Sequence, residues 1–466
     1  MPHSASTHRP AAVVIGASAT GLFAAAALAE FADVTIVERD ELPDGPVLRR
    51  GVPQARHAHL LWSGGLNAFN ELLPGVVNDA VARGARLIRF MGDGVSRAPN
   101  EVWFRRFVGN HHRMLLCSRA LLDSVLRDHV LAQDHITVLQ NTTALSLEGT
   151  ATRITGLHAR IGDDERLLSA DLVVDASGRG SHTPQWLQDL GLPPAAERRV
   201  DAGLAYATRL FRAPGTAADT TFPLINVQAN PAKAPGQGGV ILPIENGQWI
   251  VTLAGTRGGE PTADPDAFID FALSLGDPVI GELLKNAEPL GDISTTRSTA
   301  NHRRYYEKAK AWPDGFVVLG DAMASYNPVY GHGLTVAAQC ALAVRDVLRT
   351  TQFIGPGTSR KLQKAAARPV GVAWDLAVGQ DAFYPGAADN PPTAMERFLA
   401  RFVDRAVETG ASNPRAMSVL LDVMSLEKPA TRLFSWDMLG PMLFGPKRPP
   451  LQGPPLTEIE RRTALS

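Results

Sequence analysis

Two short segments, about three hundred residues apart, carry residues whose types and spacing could bind a phosphate-bearing ligand. The first is a glycine turn, Gly16-x-Ser18-x-x-Gly21, which follows an apolar run. A glycine at the start of such a turn permits a tight bend, and one at its end lets the next helix approach the strand. Backbone N–H groups at the helix N-terminus can then bind a pyrophosphate. The segment therefore predicts a dinucleotide-binding turn.

The residues around this turn fit a strand–helix–strand unit. Residues 12–15 are apolar, residues 20–32 are rich in alanine, and residues 34–37 are β-branched. Glu38 follows 22 residues after Gly16, where a carboxylate can accept hydrogen bonds from ribose hydroxyls. The glutamate makes a ligand-free turn the less favoured interpretation. The candidate nucleotide-binding residues of this unit are Gly16, Ala17, Ser18, Thr20, Gly21, Glu38 and Arg39.

The second segment places an aspartate at the carboxyl end of another predicted strand, residues 316–320. Open α/β sheets bind ligands at this end, and a carboxylate there can accept a hydrogen bond from a ribityl hydroxyl. A glycine-containing loop and a helix over 333–349 follow, and the helix dipole would stabilise an anionic reduced flavin ring. Taken with the first segment, the pattern predicts one FAD bound at both ends. The candidate residues here are Asp321, Pro328, Gly331, Gly333 and Leu334.

Two further stretches could contribute donors to the same ligand. In the basic stretch 49–59, Arg50, Gln54 and His57 could donate hydrogen bonds to ribityl or ring oxygens, although a solvated basic loop explains the stretch equally well. Arg119 lies in the first turn of a helix that Ser118 can cap. A cation is unfavourable there unless it meets an anion, which favours a phosphate contact over a surface arginine.

The chain has 466 residues, which is long for one hydrophobic core. The pattern predicts an α/β protein with a Rossmann-like FAD-binding domain, an interleaved β-rich substrate domain and C-terminal helices. Alternating apolar residues and the Asn246-Gly247 turn indicate the β-rich layer. The expected parts are 1–199 and 301–355 for the FAD-binding domain, 200–300 for the substrate-covering domain, and 356–466 for helices ending in a proline-rich tail.

The composition narrows the class of partner. A formal net charge of −1 gives no electrostatic reason to expect a nucleic acid, and no uncharged apolar run is long enough to span a bilayer. Two cysteines imply no disulfide framework and suit a reducing cytoplasm, so a cytoplasmic location is expected. The sequence offers no metal-ligand spacing and no nucleophile–base triad, so the catalytic side chains stay unassigned.

These motifs together resemble the flavoprotein monooxygenases of the aromatic-hydroxylase fold, over most of residues 11–350. The stretches Arg50-Gly51-Val52-Pro53-Gln54-Ala55-Arg56-His57 and Asn327-Pro328-Val329-Tyr330-Gly331 resemble a bacterial, squalene-epoxidase-like branch that includes epoxidases of polyether-antibiotic biosynthesis. The resemblance implies FAD, dioxygen and a flavin C4a-hydroperoxide that epoxidises an alkene. The implied substrate is an apolar polyketide polyene or terpenoid of secondary metabolism, free or bound to a carrier.

Departures from the family pattern leave alternatives open. Ser177-Gly178 stands where the hydroxylases carry an Asp-Gly pair linked to nicotinamide use, so NAD(P)H could act directly or through a partner flavin reductase. The tryptophan-containing signature of flavin halogenases is absent, which disfavours halogenation. The remaining alternatives are an aromatic hydroxylase, a flavin-dependent reductase of prenyl double bonds, and a non-catalytic escort-type protein that binds prenylated partners.

Overall fold

A computed structural model describes residues 9–109, 111–218, 222–231, 233–351, 353, 355–445 and 448–465 of the chain. In these residues the helices α1 to α14 span, in chain order, Ala19–Leu28, Ser63–Leu72, Val76–Ala82, Phe90–Asp93, Arg119–Leu131, Thr183–Asp189, Pro265–Leu273, Val279–Leu284, Gly333–Thr350, Thr358–Asp381, Ala394–Ser412, Pro414–Met424, Trp436–Phe444 and Glu458–Leu465. The strands β1 to β20 span Ala11–Ile15, Asp33–Val37, Leu60–Leu61, Arg86–Arg89, Gly94–Arg97, Arg113–Leu116, Ile136–Leu139, Thr142–Gly149, Ile154–Ile161, Asp164–Ser169, Leu172–Asp175, Glu197–Val200, Ala205–Arg212, Leu224–Val227, Gln237–Ile244, Gln248–Gly255, Glu288–Thr296, Asn301–Arg304, Phe316–Val318 and Ala324–Ser325.

A five-stranded parallel sheet in the order β19-β11-β1-β2-β7 forms the base of the molecule. Its inner strands are apolar on both faces, as a parallel sheet covered by helices requires. The predicted strand–helix–strand unit is confirmed as β1, α1 and β2, although α1 ends at Leu28 instead of continuing to residue 32. The fold is therefore α/β with a Rossmann-like parallel sheet.

The molecule also contains a second sheet of six strands, in the order β17-β13-β16-β15-β14-β5. The predicted hairpin is confirmed as β15 and β16, and Asn246 and Gly247 both take positive φ in its turn. One strand comes from elsewhere: β5, in the N-terminal part of the chain, pairs in parallel with β14. The predicted domain boundaries therefore remain a prediction, because this sheet combines two segments of the chain.

The predicted C-terminal helices correspond to α10, α11 and α12. Thr393 caps α11 with a reciprocal capping box to Glu396, and the Asn413 side chain caps α12. The C-terminal region also contains two further helices, α13 and α14. Pro441 lies inside α13, and Met438 of the same helix is buried in a cluster with apolar residues of α12. In the described part of the chain, no helix combines the length and the apolarity needed to cross a bilayer.

Helix α10 supplies hydrogen-bond partners to β19, the edge strand of the parallel sheet. Gln363, which is buried, accepts a hydrogen bond from Val318 N at 2.9 Å and donates one to Val318 O at 3.1 Å. The side-chain amide therefore replaces the neighbouring strand that β19 lacks. Because β19 leads directly into Gly320 and Asp321, this contact fixes the start of the loop that carries the predicted ribityl ligand.

We predict that Gln363→Leu destabilises the protein, because it leaves the N–H and C=O of Val318 buried without partners. Each unpaired group costs about 1–3 kcal/mol. The free energy of unfolding, measured by urea denaturation, is expected to fall accordingly. Gln188→Leu, on the exposed face of α6, is the matched control and is expected to change stability by less than about 0.5 kcal/mol. Equal stabilities for the two variants would contradict this role.

Candidate active site

The carboxyl ends of β1, β11 and β19 open into one cavity of about 2290 Å³. Small-molecule sites commonly measure about 300–1,000 Å³, so this cavity has room for a large cofactor and a second molecule. The parallel sheet forms its floor, the six-stranded sheet one wall, and α10 to α12 another. Both of the predicted ligand-binding segments line it.

Neither glycine of the turn could be replaced by a residue that carries a side chain. Gly16 has a φ of +99°, and a Cβ there would lie 2.9 Å from Ala176 O. A Cβ on Gly21 would lie 1.8 Å from Gly16 O, so helix and strand pack as closely as predicted. Ser18, the N-cap of α1, makes no capping hydrogen bond, and Ser18 and Thr20 line the cavity. The N-terminus of α1 thus faces the cavity as an uncapped anion site.

The two predicted segments touch. Gly320 has a φ of +61°, and a Cβ at this position would lie 2.5 Å from Thr20 Oγ1. The loop after β19 therefore packs directly on the first turn of α1, although about three hundred residues separate them. The structure brings the turn at Gly16 and the loop at Asp321 to the same end of the sheet.

Glu38 lies beside the turn, where its carboxylate already has protein partners. Oε2 accepts hydrogen bonds from Ala17 N at 2.8 Å and pairs with Arg49 Nη2 at 2.7 Å. Among the described residues, Oε1 accepts only from Asp40 N, so it keeps acceptor capacity for a ribose hydroxyl. Arg39 is exposed and also lines the cavity.

Arg49 replaces the arginine that the sequence suggested. Arg50 is exposed and does not line the cavity, so the structure does not bring it to the other candidates. Arg49 is buried at the cavity and donates Nη1 to Ala17 O. The loop begins with two adjacent arginines and has no regular periodicity, so no sequence pattern indicates which of them points inward.

Arg119 lies where its position on α5 suggested. The side chain is 5% exposed and lines the cavity. Its Nε donates to Asp123 Oδ1 at 2.6 Å, while Nη2 lies 3.4 Å from Ser18 Oγ. Asp123 thus holds the guanidinium against the N-terminus of α1, where a cation would help to bind a pyrophosphate.

Asp321 follows β19 and faces Arg179, a residue to which the sequence analysis gave no role. Arg179 Nε lies 3.5 Å from Asp321 Oδ2, and its other nitrogens donate to Ser298 O and Tyr326 O. Burial raises the pKa of Asp321 above its ordinary value, and the nearby Arg179 acts in the opposite direction. Ser177 and Gly178, which precede Arg179, also line the cavity.

The loop after Asp321 leads to the uncapped N-terminus of α9. Pro328, Gly331, Gly333 and Leu334 all line the cavity, and a Cβ on Gly333 would meet open space. Gly331 has a φ of +66° and lies against Leu60. The first N–H groups of α9 therefore have no side-chain caps and lie at the cavity. They could donate hydrogen bonds to the electron-rich edge of a flavin ring.

His57 connects the basic stretch to the substrate-side sheet. Its Nδ1 lies 2.8 Å from Thr208 Oγ1, which lies 2.7 Å from Thr252 Oγ1. Burial lowers the pKa of His57 to about 4, so the ring is neutral near pH 7. Gln54 is exposed at the cavity and free to donate.

A buried polar network lies under the loop that carries Pro328. Asp381, the last residue of α10, accepts hydrogen bonds from Tyr330 OH at 2.6 Å, Asn327 Nδ2 at 2.9 Å and Asn301 Nδ2 at 2.6 Å. Tyr206 OH donates to Asn327 Oδ1 at 3.1 Å. Burial raises the pKa of Asp381, and its hydrogen bonds act against that increase. No local sequence pattern indicates this network, because the donors to Asp381 come from two distant segments, β18 and the loop after β20.

Beyond these polar groups the cavity is lined with apolar side chains. They come from the six-stranded sheet and from the C-terminal helices, and include Leu224, Val240, Leu242, Leu376, Phe402, Met417, Leu420 and Phe434. This region can bury an apolar molecule next to the predicted flavin position.

The chain matches a known family over most of its length. The model of the FAD binding domain family, FAD_binding_3, matches residues 9–351. The chain therefore belongs to this family of FAD-dependent monooxygenases. Among curated proteins it is similar to Protein Rv3254 of Mycobacterium tuberculosis (strain ATCC 25618 / H37Rv). The two are 32% identical over 425 residues, covering 84% of this chain and 89% of the relative.

Solved structures share the fold. The flavin-dependent brominase Bmp2 superposes with a TM-score of 0.63 at 15% identity, over 90% of this chain and 94% of the brominase. The p-nitrophenol 4-monooxygenase PnpA from Pseudomonas putida DLL-E4 superposes with a TM-score of 0.61 at 14% identity, over 90% of this chain and 98% of that enzyme. At these identities the similarity concerns the fold alone.

The residues present fit FAD. The two glycines that admit no Cβ leave room for a pyrophosphate at the uncapped end of α1, with Arg119 beside it. Glu38 and Asp321 supply carboxylate acceptors at two separate positions along the cavity. The proposed FAD-binding set is Gly16, Ala17, Ser18, Thr20, Gly21, Glu38, Arg39, Gln54, His57, Arg119, Asp321, Pro328, Gly331, Gly333 and Leu334, to which the structure adds Arg49 and from which it leaves out Arg50.

We predict that Arg119→Met weakens FAD binding about ten- to one hundredfold, because it removes a charged hydrogen-bond donor facing the pyrophosphate position. Fluorescence titration of the cofactor-free protein with FAD measures the dissociation constant. Arg127→Met is the matched control: Arg127 is equally buried on the same helix, but donates to Pro43 O and Gly45 O away from the cavity. An equal loss in both variants would argue against a phosphate contact.

We also predict a pH dependence of stability. Burial lowers the pKa of His57 and of His332 from 6.5 in the unfolded chain to about 4 in the folded protein. The unfolded state therefore binds more protons, and stability is lost as the pH falls from about 6.5 toward 4. Between pH 7 and pH 5 each histidine accounts for about 2 kcal/mol of lost unfolding free energy. Urea unfolding of His57→Gln is expected to show a smaller loss, and an unchanged slope would contradict this origin.

Proposed function

We propose that the protein is an FAD-dependent monooxygenase that epoxidises an alkene of an apolar polyene or terpenoid, in the secondary metabolism of polyketides or related compounds. The observation that carries the proposal is the continuity of one cavity. The glycine turn, Asp321 and the N-terminus of α9 occupy one part of it, and an apolar chamber adjoins them. A bound flavin ring and an apolar substrate would therefore share one enclosure.

The chain's own residues would act by binding, orienting and excluding water. The N-terminus of α1 and Arg119 would hold the pyrophosphate, while Glu38 and Asp321 would accept hydrogen bonds from sugar hydroxyls. When bound, FAD supplies the electrons that activate dioxygen and the site of oxygen transfer. The six-stranded sheet and α10 to α12 would keep water from the reacting alkene.

Neutral His57 would serve as a hydrogen-bonding group for the flavin, on the side of the six-stranded sheet. Its Nδ1 is engaged by Thr208, so its Nε2 is the ring atom left for a ligand at the cavity. The depressed pKa makes it a poor carrier of positive charge near pH 7. A neutral donor or acceptor suits an alkene substrate, because no charged intermediate on the substrate has to be stabilised.

The source of electrons stays a choice between two routes. Ser177 stands where the related hydroxylases carry the Asp of an Asp-Gly pair, and here it donates from both its N–H and its hydroxyl to Asp175 Oδ1. This supports reduction by a partner flavin reductase, with direct reduction by NAD(P)H as the alternative. Either partner would act in addition to dioxygen and the apolar substrate.

Aromatic hydroxylation is the second candidate. Tyr206, Tyr330 and Tyr384 surround Asp381 at the cavity, and such a polar cluster suits a phenol hydroxyl better than a hydrocarbon. The structurally similar PnpA is by its name a p-nitrophenol 4-monooxygenase. Against this, three hydrogen-bond donors already engage the Asp381 carboxylate, which makes it a poorer base for activating a phenol.

We predict that the FAD-loaded protein, reduced and exposed to ¹⁸O₂ with a panel of polyenes, terpenes and phenols, yields a product that carries one ¹⁸O atom. Mass spectrometry identifies the product, and mild acid converts an epoxide into a diol with one added water. An anaerobic sample is the control.

Each competing function has its own outcome in that experiment. A ring-hydroxylated phenol that resists acid supports the aromatic hydroxylase. A product heavier by two hydrogens supports the prenyl reductase, and a protein with no affinity for oxidised or reduced FAD supports the escort function. Any of these three results would reject epoxidation.

A further inference from the structure

Four side chains with metal-binding atoms meet outside the cavity. His111 and His112 precede β6, Asp422 lies near the end of α12, and Glu427 follows that helix. One potential ligand atom from each residue lies within 4.8 Å of the corresponding atoms of the other three. None of the four lines the cavity, so the proposed flavin site does not account for the cluster.

The separations suit a small cation. His112 Nε2 lies 3.2 Å from Asp422 Oδ1, and His111 Nε2 lies 3.2 Å from Glu427 Oε2 and 3.9 Å from Asp422 Oδ1. In a tetrahedral zinc site with bonds of about 2.0–2.1 Å, neighbouring ligand atoms are about 3.3 Å apart. The three distances bracket this value, so small side-chain rotations would complete the geometry.

His112 supplies the independent observation that points to a ligand. Its side chain is 2% exposed, yet its Nε2 has no hydrogen-bond partner. Asp422 Oδ1 lies 3.2 Å away but does not complete a hydrogen bond with Nε2. A metal ligand has this arrangement, because its lone pair points to a shared centre and not to another ligand. The buried atom is otherwise left unsatisfied, which costs free energy.

Neighbouring groups hold the proposed ligands in orientation. His112 Nδ1 lies 2.9 Å from Ser63 Oγ, at the start of α2, and 3.7 Å from Glu427 Oε1, which leaves Nε2 as the nitrogen facing Asp422. Arg432 Nε donates to Asp422 Oδ2 at 3.1 Å and so leaves Oδ1 for the cluster. Metal-binding histidines and carboxylates are typically oriented by hydrogen bonds of this kind.

We propose that His111, His112, Asp422 and Glu427 bind one divalent transition-metal ion, with Zn²⁺ the ion that fits best. Two imidazole nitrogens disfavour the hard cations Ca²⁺ and Mg²⁺, which take oxygen ligands. Two carboxylates balance the charge of the ion. All four positions are filled by protein, which is the arrangement of a structural site.

The proposed ion would join two segments that are far apart in sequence. It would tie the residues before β6 to the end of α12, whose Leu420, Leu421 and Met424 line the apolar part of the cavity. Metal binding would therefore stabilise the cavity wall without taking part in the reaction. This inference is independent of the proposed function, because it involves neither the flavin position nor the substrate.

The test is a zinc titration of the full-length protein, prepared without a histidine tag and treated with a chelator. Isothermal titration calorimetry with ZnCl₂ is expected to give one ion per chain, and elemental analysis after dialysis is expected to agree. His112→Gln and Glu427→Gln are each expected to weaken binding at least tenfold. His158→Gln is the control, because His158 pairs with Glu148 at 2.6 Å on the surface, outside the four-residue cluster.

Thermal unfolding and circular dichroism separate binding from folding. Zinc is expected to raise the melting temperature of the parent protein and of His158→Gln, and to leave that of Glu427→Gln unchanged. The side chain of Glu427 is 12% exposed, and Gln keeps its size and shape, so this variant is expected to keep the parent circular dichroism spectrum. Absence of bound zinc in the folded parent protein, or equal affinity in Glu427→Gln, would overturn the proposal.

Discussion

The site depends on the direct contact between Thr20 and Gly320. A Cβ at position 320 would lie 2.5 Å from Thr20 Oγ1, so only glycine allows the late loop to pack on the first turn of α1. This contact determines the distance between the uncapped end of α1 and the carboxylate of Asp321. A ligand held at both places must match that distance, so the backbone alone restricts the length of the ligand.

The order of strands makes this contact possible. In the sequence β1 and β19 are far apart, but only β11 separates them in the sheet, so their carboxyl ends open at the same edge. The loop after β11 lies between them, and its Arg179 contacts both the Asp321 loop and Ser298 at the start of the return to the sheet. Arg179 thus joins the loops that follow the neighbouring strands β11 and β19, and its positive charge lies beside the carboxylate of Asp321.

The sequence was sufficient where local spacing determines structure. The turn from Gly16 to Gly21, the hairpin at Asn246 and the strand before Asp321 were all predicted, because each is specified by neighbouring residues. It was insufficient where the partner comes from elsewhere in the chain. Arg49 could not be chosen over Arg50 without the position of Glu38, and the pairing of β5 with β14 involves strands about 130 residues apart.

The network around Asp381 illustrates the same limit. An aspartate at the end of a helix normally predicts an exposed residue, and a carboxylate there is unfavourable for the helix dipole. Here the hydrogen bonds from Tyr330, Asn327 and Asn301 compensate, but their donors come from segments that no local pattern connects to α10. The unfavourable position of Asp381 at the end of α10 is therefore explained only by its partners in the tertiary structure.

Helix α10 shows how the two ends of the site are kept in register. Gln363 binds the edge of β19 near its beginning, and Asp381 binds the loop containing Asn327 and Tyr330 at its end. With a rise of 1.5 Å per residue, about 27 Å of helix separates these two anchors. Both anchors belong to one continuous helix, which contains Pro369 between them. One helix therefore positions both the strand that precedes Asp321 and the loop that precedes α9, which line the cavity.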